Sequence, residues 1–201
     1  GVDLLIPSGQ TMVILGGSGS GKSVLLRSII GLEKPDRGSV LIDEKEITVM
    51  NRKELFRIRQ NIGMLFQSSA LFDSLSVFDN IALPLREHTS LEEPEIEGAV
   101  LQSLERVGSR GVERKMPIEL SGGMKKRVGL ARALIMKPRY ILYDEPTTGL
   151  DPETGYAIDS LIIDTHQSLG ITAIVVTHDI ESALRVANRI ALLKNGVIIF
   201  N

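Results

Sequence analysis

A glycine-rich octapeptide, GGSGSGKS at Gly16–Ser23, restricts the possible folds of this chain more than any other feature. It fits G-x-x-x-x-G-K-[ST] at every fixed position, and it lies between an apolar run at Thr11–Leu15 and a helical pattern at Val24–Ile30. In the order strand, loop and helix, glycines let the backbone N–H groups turn inward, and the helix N-terminus adds the positive end of its dipole. The alternative is a glycine-rich turn without a ligand, but the complete motif in this setting predicts a phosphate-binding loop.

The predicted loop assigns roles to individual residues. Lys22 is expected to reach the β- and γ-phosphates of a nucleotide, and the Ser23 hydroxyl is expected to ligate Mg²⁺. The candidate nucleotide-binding residues are Gly16, Gly17, Ser18, Gly19, Ser20, Gly21, Lys22, Ser23 and Val24.

A second candidate site is the mostly apolar run Tyr140–Asp144, which Glu145 follows directly. In a chain with a phosphate-binding loop, an aspartate at such a strand end holds the Mg²⁺ shell, and Asp144 is the candidate. Glu145 would then face the γ-phosphate and could polarise the attacking water as a general base. An acidic pair that merely ends a strand at the surface is the alternative, which the phosphate loop makes less favourable.

Short β-rich runs alternate with helical stretches, which predicts an α/β fold with a mostly parallel sheet. The predicted strands are Val2–Ile6, Thr11–Leu15, Ile62–Phe66, Tyr140–Asp144, Thr172–Thr177 and Arg189–Leu193, with Ser39–Asp43 and Val197–Phe200 as additional strands at an antiparallel edge. Between these, helical spacing dominates at Glu92–Val107 and Gly122–Met136. The sequence therefore predicts a helical subdomain at 69–136, inserted into an α/β core.

Composition narrows the class of protein. Hydrophobic residues make up 43% and charged residues 24% of the 201, which is typical of a globular domain. The net charge of −2 argues against a general nucleic-acid binder, and the absence of cysteine excludes disulfides and cysteine-ligated metals. No apolar run approaches the roughly 20 residues that span a bilayer, so a membrane role would require a partner. We expect both ends of the chain to be trimmed.

A second anion site is predicted at Leu120–Gly123, far along the chain from the phosphate loop. Ser121 is placed as the N-cap of the helix that runs to about Met136, and the two glycines after it expose the first amides. One nucleotide loop and one spare phosphate cradle favour a head-to-tail homodimer. In such a dimer, Ser121, Gly122 and Gly123 would cap the nucleotide of the other copy.

Three further motif positions each follow a predicted strand. Gln67 follows the predicted strand Ile62–Phe66, the run Thr148–Asp151 follows the acidic strand, and His178 follows Thr172–Thr177. Together with the phosphate loop, the strand ILYDEP at 141–146 and LSGGM at 120–124, this order resembles the ABC ATPase family over the whole chain.

The resemblance implies a P-loop NTPase fold of the ABC ATPase type in a single domain, 1–201. It implies a RecA-like α/β core with a β edge at 1–68 and 137–201, and a helical subdomain with the signature motif at 69–136. Gln67 to Ser121 leaves room for such a compact subdomain, but not for the long coiled coil of chromosome-maintenance ATPases.

The resemblance also implies ATP and Mg²⁺ as cofactors. Glu145, His178 and Gln67 take the catalytic roles, in which His178 contacts the γ-phosphate. Ser23, Gln67 and Asp144 surround the metal, Asp144 through a water molecule. Two departures from the family pattern stand out: Met124 replaces a common glutamine, and no residue before the phosphate loop can be assigned to stack on adenine.

A narrower resemblance concerns the Mla/Mce type of lipid-transport ATPase. It is carried by Met64–Phe72, Val77–Ile81, Pro84–Thr89 and by the three basic residues after Met124. This resemblance implies an integral membrane permease as partner, a lipid-binding substrate protein in the same complex, and a peripheral position at the cytoplasmic face of the inner membrane. No nucleic-acid partner is implied.

In the family that this chain resembles, the segment after Gln67 receives the permease, so the resemblance implies that Ser68–Asn80 is the docking segment. Phe66, Leu71, Phe72 and Phe78 could line an apolar groove for a partner helix, or they could form the small core of the helical subdomain.

The favoured interpretation is the ATPase subunit of a phospholipid transporter. A soluble ABC ATPase in repair or assembly, a transporter ATPase for another cargo, and a regulatory module that dimerises without hydrolysis remain alternatives. Intact Glu145 and His178 argue against the last of these.

Overall fold

The computed structural model describes residues 1–201, in which seven α-helices and eight β-strands follow one another. In chain order they are β1 (Thr11–Leu15), α1 (Lys22–Ile29), β2 (Leu41–Ile42), β3 (Lys45–Glu46), α2 (Arg52–Arg59), β4 (Ile62–Leu65), α3 (Val77–His88), α4 (Glu93–Arg106), α5 (Gly122–Leu134), β5 (Tyr140–Asp144), α6 (Pro152–Leu169), β6 (Thr172–Thr177), α7 (Ile180–Val186), β7 (Arg189–Lys194) and β8 (Val197–Phe200).

Six strands form one sheet in the order β4-β5-β6-β1-β7-β8. The first five are parallel, and β8 pairs antiparallel with β7 at the edge. Every residue of β6 is buried, as expected for a central parallel strand that helices cover on both faces. The predicted α/β fold with a mostly parallel sheet and an antiparallel edge is therefore confirmed.

The strand register places the functional loops at one edge of the sheet. Leu15 at the end of β1 pairs with Thr177 at the end of β6, and Asp144 at the end of β5 pairs with Val176. Because the carboxyl ends of parallel strands meet at the same edge, the loops that follow β1, β4, β5 and β6 converge there.

Two apolar clusters hold the sheet between its helices. Side chains alternate across β1, so that Val13 joins the cluster that packs against α3–α7, while Met12 and Ile14 join the cluster around α1. All three side chains are fully buried. The two faces of the sheet are thus both covered, and the site at its carboxyl edge rests on rigid strands.

Helices α3, α4 and α5 follow one another between β4 and β5. Their buried residues, such as Ile81, Val100 and Leu130, belong to the same apolar cluster as Leu65 and Tyr143 of the sheet. None of the helices combines the length and the apolar character needed to cross a bilayer.

Two strand predictions differ from the structure. Val2–Ile6 was predicted as a strand, but it pairs with no other strand, although Val2, Leu4 and Ile6 still pack against the α1 cluster. Ser39–Asp43 was predicted as an edge strand, but only Leu41–Ile42 pairs, in a separate hairpin with β3. Left-handed φ angles at Asp43 (49°) and Glu44 (64°) make the tight turn of that hairpin.

Candidate nucleotide-binding and hydrolysis site

The loop between β1 and α1 has the backbone of a phosphate cradle. Gly16 lies so close to its neighbours that an added Cβ would be 2.5 Å from the Leu193 carbonyl oxygen, so no other residue fits. Gly21 precedes the first turn of α1 with φ of 103°, a conformation that residues with side chains rarely adopt. The glycines of the motif are therefore required by the path of the backbone.

Lys22 is buried at the base of this loop. Its ammonium donates hydrogen bonds to the carbonyl oxygens of Gly16 (2.8 Å) and Gly17 (3.1 Å), and it lies 3.2 Å from Glu145 Oε1. The charge is therefore held inside the loop, paired with the carboxylate that follows β5. A phosphate group in the cradle would offer this ammonium a second anionic partner.

Ser23 and Asp144 meet although they are far apart in the sequence. The Ser23 hydroxyl donates a hydrogen bond to Asp144 Oδ1 at 3.0 Å. These oxygen atoms are the hard donors that Mg²⁺ prefers, and Mg²⁺ typically takes only one or two protein ligands besides phosphates and water. The pair therefore fits the metal-binding roles predicted for both residues.

Glu145 adopts a strained backbone conformation at the end of β5. Its φ of 48° is left-handed, and its N–H donates to the Val176 carbonyl oxygen at 2.9 Å. Burial raises the pKa of Glu145, but hydrogen bonds from Lys22, His178 and Thr148 outweigh this effect and hold the pKa below its ordinary value. The carboxylate is therefore ionised at neutral pH and able to accept a proton.

His178 follows β6 and reaches the same carboxylate. Its Nδ1 lies 2.8 Å from Glu145 Oε2, and because a carboxylate only accepts hydrogen bonds, Nδ1 carries the proton in this contact. The Thr148 hydroxyl donates to the same oxygen at 3.0 Å. The His178 side chain is 57% exposed, whereas the Glu145 carboxylate that it contacts is buried. The imidazole therefore lies between this buried carboxylate and the open cavity.

An open cavity of about 490 Å³ connects these groups. Its lining residues are Ser18, Gly19, Gly21, Lys22, Ser23, Val24, Gln67, Glu145 and His178. Four other predicted site residues, Gly16, Gly17, Ser20 and Asp144, are not among the lining residues. The structure thus brings together predicted residues from four separate loops.

The predicted second cradle lies elsewhere. Ser121 is the N-cap of α5, where its hydroxyl accepts a hydrogen bond from the Met124 N–H at 3.3 Å. Ser121 and Gly122 are exposed, while Gly123 is buried because α6 packs closely, with Thr154 Cγ2 2.5 Å from where a Cβ would be. None of the three predicted residues lines the cavity described above.

Lys126 is a site residue that the sequence prediction missed. It is 4% exposed, and its ammonium donates to the carbonyl oxygens of Gln67 (2.5 Å) and Glu145 (3.2 Å). Burial lowers the pKa of Lys126 to about 8, against the opposing effect of the Asp144 and Glu145 charges. The sequence feature that could have identified Lys126 is the position of a lysine on the buried face of α5.

Comparison with known proteins shows the family to which this chain belongs. The profile described as ABC transporter matches residues 1–148, which is most of the chain. The chain belongs to the ABC transporter family. The resemblance predicted from the phosphate loop, the acidic strand and the LSGGM motif is thereby confirmed.

Relatives of this ABC chain include two transport ATP-binding proteins. It is 48% identical over 192 residues to the probable ribonucleotide transport ATP-binding protein mkl of Mycobacterium leprae, a match that covers 96% of this chain and 55% of that protein. It is 44% identical over 198 residues to the intermembrane phospholipid transport system ATP-binding protein MlaF of Escherichia coli K12, covering 98% and 74%. The chain thus spans about half the length of the mycobacterial relative. The predicted likeness to the Mla type is confirmed by the match to MlaF.

Solved ABC structures share the fold. A dimeric ATP-binding cassette in a post-hydrolysis state with ADP and Pi superposes with a TM-score of 0.91 at 38% identity, covering 98% of this chain and 87% of that one. CbiO1 of Clostridium perfringens, part of the ABC transporter complex CbiONQ, gives a TM-score of 0.89 at 36% identity, covering 98% and 78%. The ABC ATPase fold predicted for this chain is therefore confirmed.

Proposed function

We propose that this chain binds and hydrolyses ATP as the ATPase subunit of a phospholipid transporter, in which it drives an integral membrane permease. The observation that carries the proposal is the convergence of Lys22, Glu145 and His178 on one cavity beside the phosphate loop. The match to MlaF supports the phospholipid cargo, and the match to a cassette with ADP and Pi bound supports the nucleotide.

Phosphate binding falls to the loop and to Lys22. The backbone N–H groups of Ser18–Gly21 and the first turn of α1 cradle the phosphate oxygens, and Lys22 turns from its carbonyl partners toward the β- and γ-phosphates. Val24 lies at the rim of the cavity, half-exposed. The adenine has no assigned partner among the described residues.

Hydrolysis falls to Glu145. A water oxygen attacks the γ-phosphorus while the bond from phosphorus to the β–γ bridging oxygen breaks, and the water proton passes to the Glu145 carboxylate. The hydrogen bonds from Thr148 and His178 fix that carboxylate, and Gln67 lines the same cavity, where it can orient the water. After ADP and phosphate are released, the ion pair between Lys22 and Glu145 forms again.

Mg²⁺ is the cofactor that these residues fit. Ser23, Asp144 and Gln67 would hold it, Asp144 through a water molecule. When bound, Mg²⁺ neutralises charge that develops on the β- and γ-phosphate oxygens.

The working unit is a homodimer. The exposed N-terminus of α5, with Ser121 and Gly122 at the surface and away from the cavity, supports a cradle that serves the nucleotide of a second copy. The solved cassette that matches this chain is described as dimeric. The run Thr148–Asp151 crosses the interface in this arrangement.

The permease docks beside the segment Ser68–Asn80. Leu71 and Phe78 pack against the apolar core, so they support the groove from within, whereas Phe72 is 51% exposed and available to a partner helix. The division into an α/β core at 1–68 and 137–201 and a helical subdomain at 69–136 would let this groove move with the bound nucleotide. The chain would then lie at the cytoplasmic face of the inner membrane, with a lipid-binding substrate protein in the same complex.

Two substitutions test the assigned chemistry. Lys22→Ala removes the charge that meets the phosphates, so it should weaken ATP binding. Glu145→Gln leaves the phosphate loop unchanged but cannot take the proton, so ATP should still bind while turnover falls by roughly 100-fold or more. ATP binding and phosphate release are measured on the full-length protein with its permease. Turnover by Glu145→Gln near the wild-type rate would show that Glu145 is not the base.

Docking and cargo need separate measurements. Phe72→Asp should reduce co-purification with the permease while ATP binding and the melting temperature of the free subunit stay near wild type, because Phe72 is exposed. Phe200→Asp, the same change at an exposed phenylalanine of β8 outside the Ser68–Asn80 segment, is the surface control. In liposomes, the complex should move phospholipid in the presence of ATP. Movement of sugars or amino acids without phospholipid would contradict the lipid assignment.

A further inference from the structure

We propose that Lys126 is a positioning residue for the reaction, because one buried ammonium holds the backbone of both Gln67 and Glu145 in place. The proposal rests on the function proposed above. Lys126 contacts neither the cavity nor a phosphate site, so it acts only through the two residues it binds.

The three groups come from different parts of the fold. Gln67 follows β4, Glu145 follows β5, and Lys126 lies in the second turn of α5, whose first turn carries the proposed cradle for the other copy's nucleotide. Through the Lys126 ammonium, α5 is hydrogen-bonded to the Gln67 carbonyl oxygen at 2.5 Å and to the Glu145 carbonyl oxygen at 3.2 Å. A shift of α5 therefore moves the backbone of Gln67 and Glu145, and the side chains of these two residues move with it.

Strain at Glu145 explains why such an anchor is needed. The left-handed region is disfavoured for a residue with a side chain, so the φ of 48° persists only if its surroundings hold it. The N–H is held by the Val176 carbonyl on one side, and the carbonyl oxygen is held by Lys126 on the other. Without the ammonium, the Glu145 carbonyl oxygen keeps only the longer hydrogen bond from the Thr148 N–H, at 3.3 Å. The peptide after Glu145 is then less firmly held, and the carboxylate can turn with it.

The same helix holds the remainder of the loop after β4. Ser69 and Ala70 are also left-handed, with φ of 63° and 45°, and the Arg132 guanidinium donates to their carbonyl oxygens at 2.9 Å and 2.8 Å. Gly129, between the two basic residues, lets the loop approach, since an added Cβ would lie 3.3 Å from Ser69 Cβ. Lys126 differs from Arg132 because it alone also binds Glu145.

The chemical requirement at position 126 is a buried cation with several donors. Two carbonyl oxygens accept its hydrogen bonds, and the Asp144 and Glu145 carboxylates supply the compensating negative charge. Methionine has a similar shape but no donor, whereas arginine keeps both the charge and the donors. A residue that only fills space would tolerate methionine. A positioning residue requires arginine or lysine.

Steady-state ATP hydrolysis by the full-length protein with its permease tests the proposal. Lys126→Met should lower kcat by about 10- to 100-fold, as loss of a supporting contact behind a catalytic group does. KM for ATP should change by less than about 3-fold, because the phosphate loop is untouched. Lys126→Arg should recover most of kcat. Lys115→Met, the same change at a half-buried lysine without a side-chain hydrogen bond and outside the cavity, is the matched control and should keep kcat near wild type.

Hydrogen exchange on the nucleotide-free protein gives a readout that does not depend on catalysis. Lys126→Met should raise amide exchange in both 66–70 and 144–150, whereas Arg132→Met should raise it only in 66–70. If Lys126→Met does not fold, Lys126→Gln, which keeps a donor without the charge, should give an intermediate kcat.

Three results would overturn the inference. Lys126→Met with a wild-type kcat would show that the contact has no role in the reaction. Parallel loss of folding, nucleotide binding and kcat in every variant at position 126, arginine included, would show a purely structural role. Absence of ATP hydrolysis in the wild-type complex would instead refute the proposed function, and the inference with it.

Discussion

Replacing Asn80 by leucine should detach the loop that presents Phe72. Asn80 is fully buried in α3, where its Oδ1 accepts from the Phe72 N–H at 2.7 Å, and its Nδ2 donates to the carbonyl oxygens of Phe72, Leu75 and Ser76, each at 3.0 Å. Leucine fits the volume but leaves the Phe72 N–H and the Leu75 carbonyl group without their partner, whereas the Phe72 carbonyl oxygen keeps its hydrogen bond from the Leu75 N–H at 3.1 Å. The loop can recover part of this loss by turning toward water.

We expect the free energy of unfolding to fall by about 2–4 kcal/mol, since each unpaired buried group costs about 1–3 kcal/mol before relaxation. In a domain of this size, that loss lowers the melting temperature by roughly 4–16 °C. Calorimetry of the free subunit measures it, with Asn61→Leu at an exposed asparagine as control, where the change should stay within about 0.5 kcal/mol. Co-purification with the permease should weaken too, while ATP still binds. An Asn80→Leu protein with the same melting temperature as the wild type would refute this account of the loop.

Two further predictions concern buried polar groups. Tyr143→Phe should leave the melting temperature unchanged or raise it, because the Tyr143 hydroxyl is buried with no hydrogen-bond partner; a fall of several degrees would reveal a missed partner. The pair of Lys22 and Glu145 should stabilise the nucleotide-free protein above pH 4.5, the ordinary pKa of the acid, because the folded-state pKa is lower. Melting curves should therefore show the wild type losing its advantage over Glu145→Gln as pH falls below 4.5, whereas a constant difference down to pH 3 would contradict the lowered pKa.

Local sequence was enough to predict the phosphate loop and the acidic strand. The loop needs glycine at Gly16 and Gly21 for reasons of backbone path alone, so its motif can be recognised without knowledge of the rest of the fold. Asp144 and Glu145 follow a run of buried residues, and parallel strands bring their ends to the same edge as the loop. These features depend on near neighbours in the chain, which is why the sequence alone could indicate where they lie.

The features that the sequence did not reveal depend on distant partners. Val2–Ile6 alternates correctly, with Val2, Leu4 and Ile6 facing inward, but a strand also needs a neighbouring strand, which no sequence pattern supplied. Lys126 stands on the buried stripe of α5 with Leu130 and Leu134, so its burial could have been predicted. Its two carbonyl partners could not, because they become neighbours only when β4, β5 and α5 pack together.

Sedimentation of the Glu145→Gln protein with Mg·ATP tests the central claim most directly. That claim is that two copies enclose ATP between the phosphate loop of one and Ser121 of the other, and that Glu145 ends this state by hydrolysis. The account predicts a stable dimer for Glu145→Gln with Mg·ATP, and monomers with ADP, without nucleotide, or when Ser121→Arg is added. A protein that stays monomeric under all four conditions while it binds ATP would contradict the composite site.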